Sequence, residues 1–182
     1  MQKVTQEEYD AFKLRVINAV MKNYQQAECS HYEMVPSVYL KAFNYNHKIA
    51  PIPPELFENQ VCKEVAAKTI CDMIEVSESP IMCFVTEGHM ATVPQDGTDG
   101  RDLPRPSQLP EDQRHEVVFL HFEAKELGDY SLVFIKEVVI GETKDDFQIK
   151  LIPYKRCNEL NEPSDTGANT AAGIFTNFYS KI

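Results

Sequence analysis

Residues 116–140 read EVVFLHFEAKELGDYSLVFIKEVVI, and the pattern of this stretch indicates a β-sheet. Two runs rich in β-branched and aromatic residues, 116–124 and 131–140, lie on either side of Leu-Gly-Asp at 127–129. Such runs joined across a glycine-containing turn indicate a β-hairpin. Residues 147–152 then alternate apolar and polar side chains, which predicts a further, half-buried strand.

Strand signals extend upstream of the hairpin as well. Residues 81–86 form an apolar run suited to an interior strand, and Gly88 after it predicts a bulge or a close backbone approach. At the other end of the chain, residues 174–182 include three aromatic side chains, Phe175, Phe178 and Tyr179. We therefore expect this tail to dock on the core as a strand or a short helical turn.

Two helices are predicted before the strands. Thr5 and Glu8 fit a capping box, and the apolar spacing that follows predicts a helix, largely enclosed or with a second packing face, that ends near Gln26. A second helix is predicted to begin after the prolines at 53–54 and to stop at 77–80. Its predicted core-facing side chains are Phe57, Val61, Val65, Thr69, Ile70, Met73 and Ile74.

Helices followed by hairpin-linked strands predict an α+β fold. We expect two long helices packed on an antiparallel sheet of about four to five strands. One domain should span residues 1–182, with 1–80 mainly helical and 81–182 mainly strands. The proline- and tyrosine-containing stretch 29–54 should cross the core as an ordered connection.

Composition limits the classes of function. The chain has 18 basic and 28 acidic residues and a net charge of −10, which argues against binding to duplex nucleic acid. Its five cysteines are scattered and odd in number, so a reducing, cytoplasmic location is expected. No apolar run approaches the ~20 residues that span a bilayer, so no membrane association is expected.

The long segment 94–114 holds four prolines among residues of mixed charge. Connections of more than roughly 12–15 residues in compact domains are usually lids, binding loops or disordered segments. Its arginines, Arg101, Arg105 and Arg114, have the forked donors that suit an anionic ligand, although interleaved acidic residues also fit a solvated loop.

Within this segment two behaviours are predicted. Residues 95–102, rich in glycine and aspartate, should be mobile. Residues 104–110 should be pinned by their prolines, with Arg105 directed toward Glu87 or another carboxylate at the end of the first strand.

Four residues form the main candidate site. Glu87 and His89 end one strand, while His121 and Glu123 share one face of the next by the period of two. Converging carboxylates and imidazoles could act as acid, base or metal ligands. The alternative is that these histidines are surface residues or hydrogen-bonded core residues without a chemical role. No His-x-x-x-His or His-Glu-x-x-His spacing supports a metal site.

Residues 123–125, Glu-Ala-Lys, resemble the Glu-x-Lys half-motif of the PD-(D/E)xK nucleases. The resemblance implies a metal-binding carboxylate and a lysine that assists the attacking water. The alternative is an exposed, charged strand end. No phosphate loop or dinucleotide fingerprint occurs, so no cofactor is expected.

A wider pattern joins FVTEGHM at 84–90 to the Arg-Pro-Ser step at 105–107 and to Arg114, Glu116 and Val117. It resembles a group of small uncharacterised prokaryotic and phage proteins, to which no activity is assigned. The resemblance implies that Glu87 and the 105–107 turn belong to one structural unit.

These observations favour a non-enzymatic interaction or regulatory protein of phage or bacterial origin. A protein partner or self-association is expected, because the first helix is apolar over a wide arc. The alternative is a metal-dependent hydrolase or nuclease-like enzyme that uses Glu87, His89, His121 and Glu123.

Overall fold

The computed structural model describes residues 3–41, 48–91, 104–143, 146–154, 175 and 177–182. Its helices and strands are, in chain order, α1 (Gln6–Gln25), β1 (Ser37–Leu40), β2 (Lys48–Pro51), α2 (Gln60–Ser77), β3 (Ile81–Met90), β4 (His115–Ala124), β5 (Gly128–Ile140) and β6 (Phe147–Pro153). Short 3-10 turns lie at Pro54–Phe57, Pro106–Gln108, Glu111–Gln113 and Phe178–Ser180. Within the described residues, neither helix is apolar enough over a sufficient length to cross a membrane.

The strands form one antiparallel sheet in the order β2-β1-β3-β4-β5-β6. The predicted α+β class is confirmed, with six strands rather than four to five. The additional strands, β1 and β2, lie in the stretch 29–54 that was predicted as a crossing connection. Each has only four residues, which is too short for an alternating pattern to appear in the sequence.

Helix α1 packs on one face of the sheet, called here the α1 face. The predicted capping box is present, because the Glu8 N–H donates to Thr5 Oγ1 (3.2 Å) and the Thr5 N–H to Glu8 Oε2 (3.0 Å). Side chains at helical spacing reach the sheet: Tyr9, Phe12, Val16, Val20 and Tyr24. Burying each large one contributes about 1.5–3 kcal/mol. The helix is enclosed on that side only, since Leu14 is exposed.

Helix α2 covers β1 and β3 on the opposite face, called here the α2 face. Ile70 and Ile74 pack there with Phe84 and with Phe175 and Phe178 from the tail. The Phe84 and Phe175 rings stack at 4.9 Å between centroids. The predicted docking of the tail is therefore confirmed for its described residues.

The core-facing stripe of α2 differs from the predicted one. Val61 and Val65 are 70% and 50% exposed, although the sequence predicted them to face the core. The buried positions are Ala66, Ala67, Ile70 and Ile74 instead, because small side chains let the helix approach the sheet closely. The helix also begins later than predicted, at Gln60, since the prolines at 53–54 begin a separate 3-10 turn, Pro54–Phe57.

The central strands are longer and more regular than predicted. Strand β3 continues to Met90, and its pairing with β4 runs without interruption from Ile81 opposite Ala124 to Met90 opposite His115. The prediction of a bulge or a close backbone approach at Gly88 is therefore wrong: Gly88 is an ordinary paired residue opposite Val117, and among the described residues no atom beyond its chain neighbours lies within 4 Å of the position that its Cβ would take. The predicted hairpin turn is confirmed, with Gly128 at φ 87.

Candidate functional site

Glu87 lies on the α1 face beneath the end of α1. Its carboxylate accepts hydrogen bonds from the Tyr24 hydroxyl, the Met34 N–H (2.7 Å) and Lys136 Nζ (3.1 Å). Burial is the main cause that raises the pKa of Tyr24 well above its ordinary value, and the hydrogen bond to Glu87 is the second. The phenol therefore stays protonated and donates a hydrogen bond to Glu87. These contacts fasten the end of α1 and the following segment to β3.

Lys136 on β5 completes this cluster. Its side chain is only 3% exposed, and Nζ contacts the Tyr32 carbonyl oxygen (2.7 Å), Glu87 (3.1 Å) and Glu116 (3.3 Å). A buried ammonium is costly unless it is paired and hydrogen-bonded. Here three acceptors match its three donors. The geometry is that of a cross-link between strands.

Lys136 was not among the site residues predicted from the sequence. The signal was nevertheless available, because Lys136 follows Leu132 and Phe134 at a spacing of two, which places the three side chains on one face. A lysine at a core-facing strand position requires a buried acceptor. Which carboxylate supplies it depends on the strand order, which the local pattern does not reveal.

His121 and Glu123 form a second buried cluster, as their shared face predicted. His121 Nε2 lies 2.8 Å from Glu123 Oε1, and His121 Nδ1 lies 2.8 Å from Ser131 Oγ. The two side chains are 1% and 5% exposed. The Phe119 ring stacks on the imidazole at 6.2 Å between centroids, which shields it further.

The second oxygen of Glu123 holds the C-terminal turn. Glu123 Oε2 accepts from the backbone N–H groups of Phe178 (2.8 Å) and Tyr179 (3.4 Å). The Tyr179 hydroxyl in turn donates to the Ser79 carbonyl oxygen (2.9 Å). Burial raises the pKa of Tyr179 above its ordinary range, so this donor is retained. Glu123 therefore anchors the tail to the α2 face.

The four residues of the predicted site are divided by the sheet. Glu87 lies opposite Val118 on the α1 face and His89 opposite Glu116, whereas His121 lies opposite Phe84 on the α2 face. Glu123 lies opposite Met82, which is also on the α2 face. Because the sheet separates the two faces, the side chains of Glu87 and Glu123 cannot meet. Among the described residues, no three His, Cys, Asp or Glu side chains are grouped so that they could hold a metal ion.

The predicted arginines have separate surroundings. Arg114 Nη1 donates to the Ser107 carbonyl oxygen (2.7 Å), which pins the 3-10 turn Pro106–Gln108 beside β3. Arg105 is exposed, and its backbone N–H contacts Gln108 Oε1 (3.3 Å). The carboxylate of Glu87 is bonded to Lys136 and Tyr24 instead. Arg101 and residues 95–102 lie outside the described residues.

The outer edge of β6 is the other feature that could engage a ligand. The Tyr154 N–H donates to the Val133 carbonyl oxygen (2.9 Å), and the backbone carbonyl oxygen of Asp146 accepts from the Gly141 N–H (2.6 Å). Even-numbered residues of this strand therefore direct their backbone groups toward β5. The N–H and C=O groups of the odd-numbered residues, Phe147, Ile149 and Leu151, point away from the sheet.

Apolar side chains flank this edge on both faces. Ile152 and Val139 are 40% and 44% exposed on the α2 face, where α2 covers β1 and β3 but not β5 and β6. Ile140 is 60% exposed at the same end of β5. The described part of the chain thus combines unpaired strand groups with an apolar border, and such a combination typically marks an interaction site.

Comparisons with known proteins give no further guide to the site. No family model matches the sequence, and neither the curated proteins nor the solved structures contain a match.

Proposed function

We propose that this protein is a non-enzymatic interaction module that binds an extended segment of a partner protein along the β6 edge. The supporting observation is the set of outward N–H and C=O groups on Phe147, Ile149 and Leu151. Among the described residues, β6 is paired on one side only. An added strand would satisfy these groups through main-chain hydrogen bonds.

The border of the edge would supply specificity. Side chains of an added strand alternate between the two faces, so those on the α2 face would lie beside Ile152, Lys150 and Gln148. Ile152 offers apolar area, and Lys150 offers a positive charge. An extended segment with apolar side chains and an acidic or amide residue would fit this border.

Photo-crosslinking tests the proposal. A benzophenone amino acid placed at Ile152, beside the edge, should give an adduct of discrete mass in extracts of the native host. The same reagent at Val65 is the matched control, because Val65 is also an exposed apolar residue but lies on α2. We expect an adduct at Ile152 and none at Val65. Equal labelling at both positions, or none at either, would contradict the proposal.

A second candidate function, hydrolysis, is favoured by one observation. Hydrogen bonds join Ser131, His121 and Glu123 in a row. In hydrolases with such a row, the imidazole takes the serine proton and the carboxylate orients the imidazole. Glu123 is, however, also bonded to the tail, and this role alone accounts for its burial.

A fluorophosphonate probe tests this candidate. Covalent labelling of Ser131 that is lost in His121→Gln would favour hydrolysis over the interaction module. The metal-dependent alternative has a separate test, because it requires tightly bound metal in the purified protein that is lost in His89→Ala.

A further inference from the structure

We infer that the strand bound at the β6 edge is β6 of a second copy of this chain, related by a twofold axis perpendicular to the sheet. The inference rests on the proposed function and names its partner. The product is a closed dimer with one continuous antiparallel sheet that contains six strands from each copy. The supporting observation is the register that the edge itself allows.

One register uses every outward N–H of the described edge. When Ile149 lies opposite Ile149 of the second copy, Phe147 lies opposite Leu151 and Leu151 opposite Phe147. These are the three β6 positions that present both an outward N–H and an outward C=O. Each N–H then meets a carbonyl of the other copy. Pro153, which has no N–H to donate, falls outside the paired segment.

Other registers are less favourable. Centring the pair on Lys150 places two lysines directly opposite each other, which destabilises antiparallel pairs. Centring it on Leu151 places Pro153 opposite Ile149 and leaves the Ile149 carbonyl without a donor. If the pair is centred on Gln148 or Phe147, Leu151 lies opposite a residue that precedes β6, so its N–H has no partner on that strand. Lys150 and Pro153 thus disfavour the competing registers. Lysine and proline are the residues that usually restrict pairing at exposed strand edges.

Side chains also match in the favoured register. On the α1 face, two Phe147–Leu151 pairs flank the central Ile149 pair. Ile149 is itself a buried core residue, and Phe147 and Leu151 are partly buried against the core. On the α2 face, Gln148 lies opposite Lys150 of the second copy. Residues 147–153 carry one lysine and no acid, so the contact strand escapes the repulsion expected between copies of charge −10.

Charge substitutions at Gln148 test the register. Gln148 is exposed, so changes there should leave the fold intact. Gln148→Glu would create two symmetric ion pairs with Lys150 and should lower the dimer Kd by roughly two- to thirty-fold. Gln148→Lys would place like charges opposite each other and should raise the Kd by a similar factor. Sedimentation equilibrium of the full chain measures both.

Two controls make the result specific. Gln60→Glu and Gln60→Lys change the net charge equally on α2, away from β6, and should leave the Kd unchanged. Combining Gln148→Lys with Lys150→Glu restores opposite charges across the axis. The double variant should therefore dimerise more tightly than Gln148→Lys alone.

The outcomes separate this inference from the proposed function. A dimer whose Kd follows the charges at Gln148 supports the inference. A dimer that ignores them, or a monomer whose Ile152 adduct contains a different protein, overturns the inference and leaves the proposed function in place. A monomer without any Ile152 adduct overturns both.

Discussion

The two edges of the sheet differ in what they present to a partner. On β2, the Ile52 N–H donates to the Pro36 carbonyl (2.7 Å), so the outward positions are Ile49 and Pro51. Pro51 has no N–H, and one donor remains on that strand. On β6, three consecutive outward positions each carry an N–H and a C=O. Within the part of the chain that the structure describes, the sheet therefore has one blunted edge and one open edge.

The difference bears on the binding role proposed for the β6 edge. Proteins usually protect edge strands by making them short or by placing proline and lysine on them. Both strands end in a proline, but β2 has four residues and β6 has seven, so β2 keeps one outward N–H and β6 keeps three. An edge left open among apolar neighbours, on a chain that blunts its other edge, favours a binding role for β6.

The open side of the sheet should depend strongly on Lys136, because this side chain ties β5 to β3 and to the Tyr32 carbonyl. Lys136→Ala would leave the Glu87 carboxylate partly buried without its cation. We expect a loss of about 3 kcal/mol, the lower end of the range for breaking a buried pair, because Glu87 keeps some exposure. Urea denaturation followed by circular dichroism measures it.

The matched control neutralises both partners. Lys136→Met combined with Glu87→Gln removes both charges and should recover much of the stability lost in Lys136→Ala. If Lys136→Ala were as stable as the parent, the buried cross-link would have no role in holding β5.

On the opposite side of the molecule, the C-terminal turn should contribute a smaller amount. Tyr179→Phe removes the hydrogen bond to the Ser79 carbonyl and should cost about 1 kcal/mol. Tyr9→Phe is the control, because the buried Tyr9 hydroxyl has no hydrogen-bond partner among the described residues. Its removal should be neutral or stabilising. Equal losses in both variants would contradict this assignment.

The same tyrosine predicts a dependence on alkaline pH. The folded chain holds the Tyr179 proton more tightly than the unfolded chain, since burial raises its pKa. Its contribution is complete below the unfolded pKa of about 10 and is lost as the pH rises above it, by up to about 1.4 kcal/mol per pH unit. Stability of Tyr179→Phe should fall less steeply above that pH.

The smallest effect is expected at the blunted edge. Pro51→Ala gives β2 a second outward N–H and should cost less than about 1 kcal/mol, mainly through the freedom of the unfolded chain. Sedimentation should show the same association as the parent, because β2 remains too short to pair extensively. Stronger association in this variant would mean that the missing N–H of Pro51, and not the shortness of β2, is what blunts this edge.

Local patterns predicted the parts of this fold that depend on neighbouring residues. The Thr5 cap, the turn at Gly128 and the shared face of His121 and Glu123 each follow from spacing within one element. The contact of Lys136 with Glu87 joins strands that are not adjacent in the sheet, so it depends on strand order. The open edge of β6 is likewise a property of the assembled sheet.

Amide hydrogen exchange across a dilution series shows whether copies of this chain pair along β6. Exchange at Phe147, Ile149 and Leu151 should slow as the protein concentration rises, because dimerisation occupies these outward N–H groups. Exchange at Ile49, the outward N–H of the blunted edge, should not change. If the three β6 amides exchange at rates independent of concentration, or if Ile49 slows together with them, the β6 edge is not where copies of this chain meet.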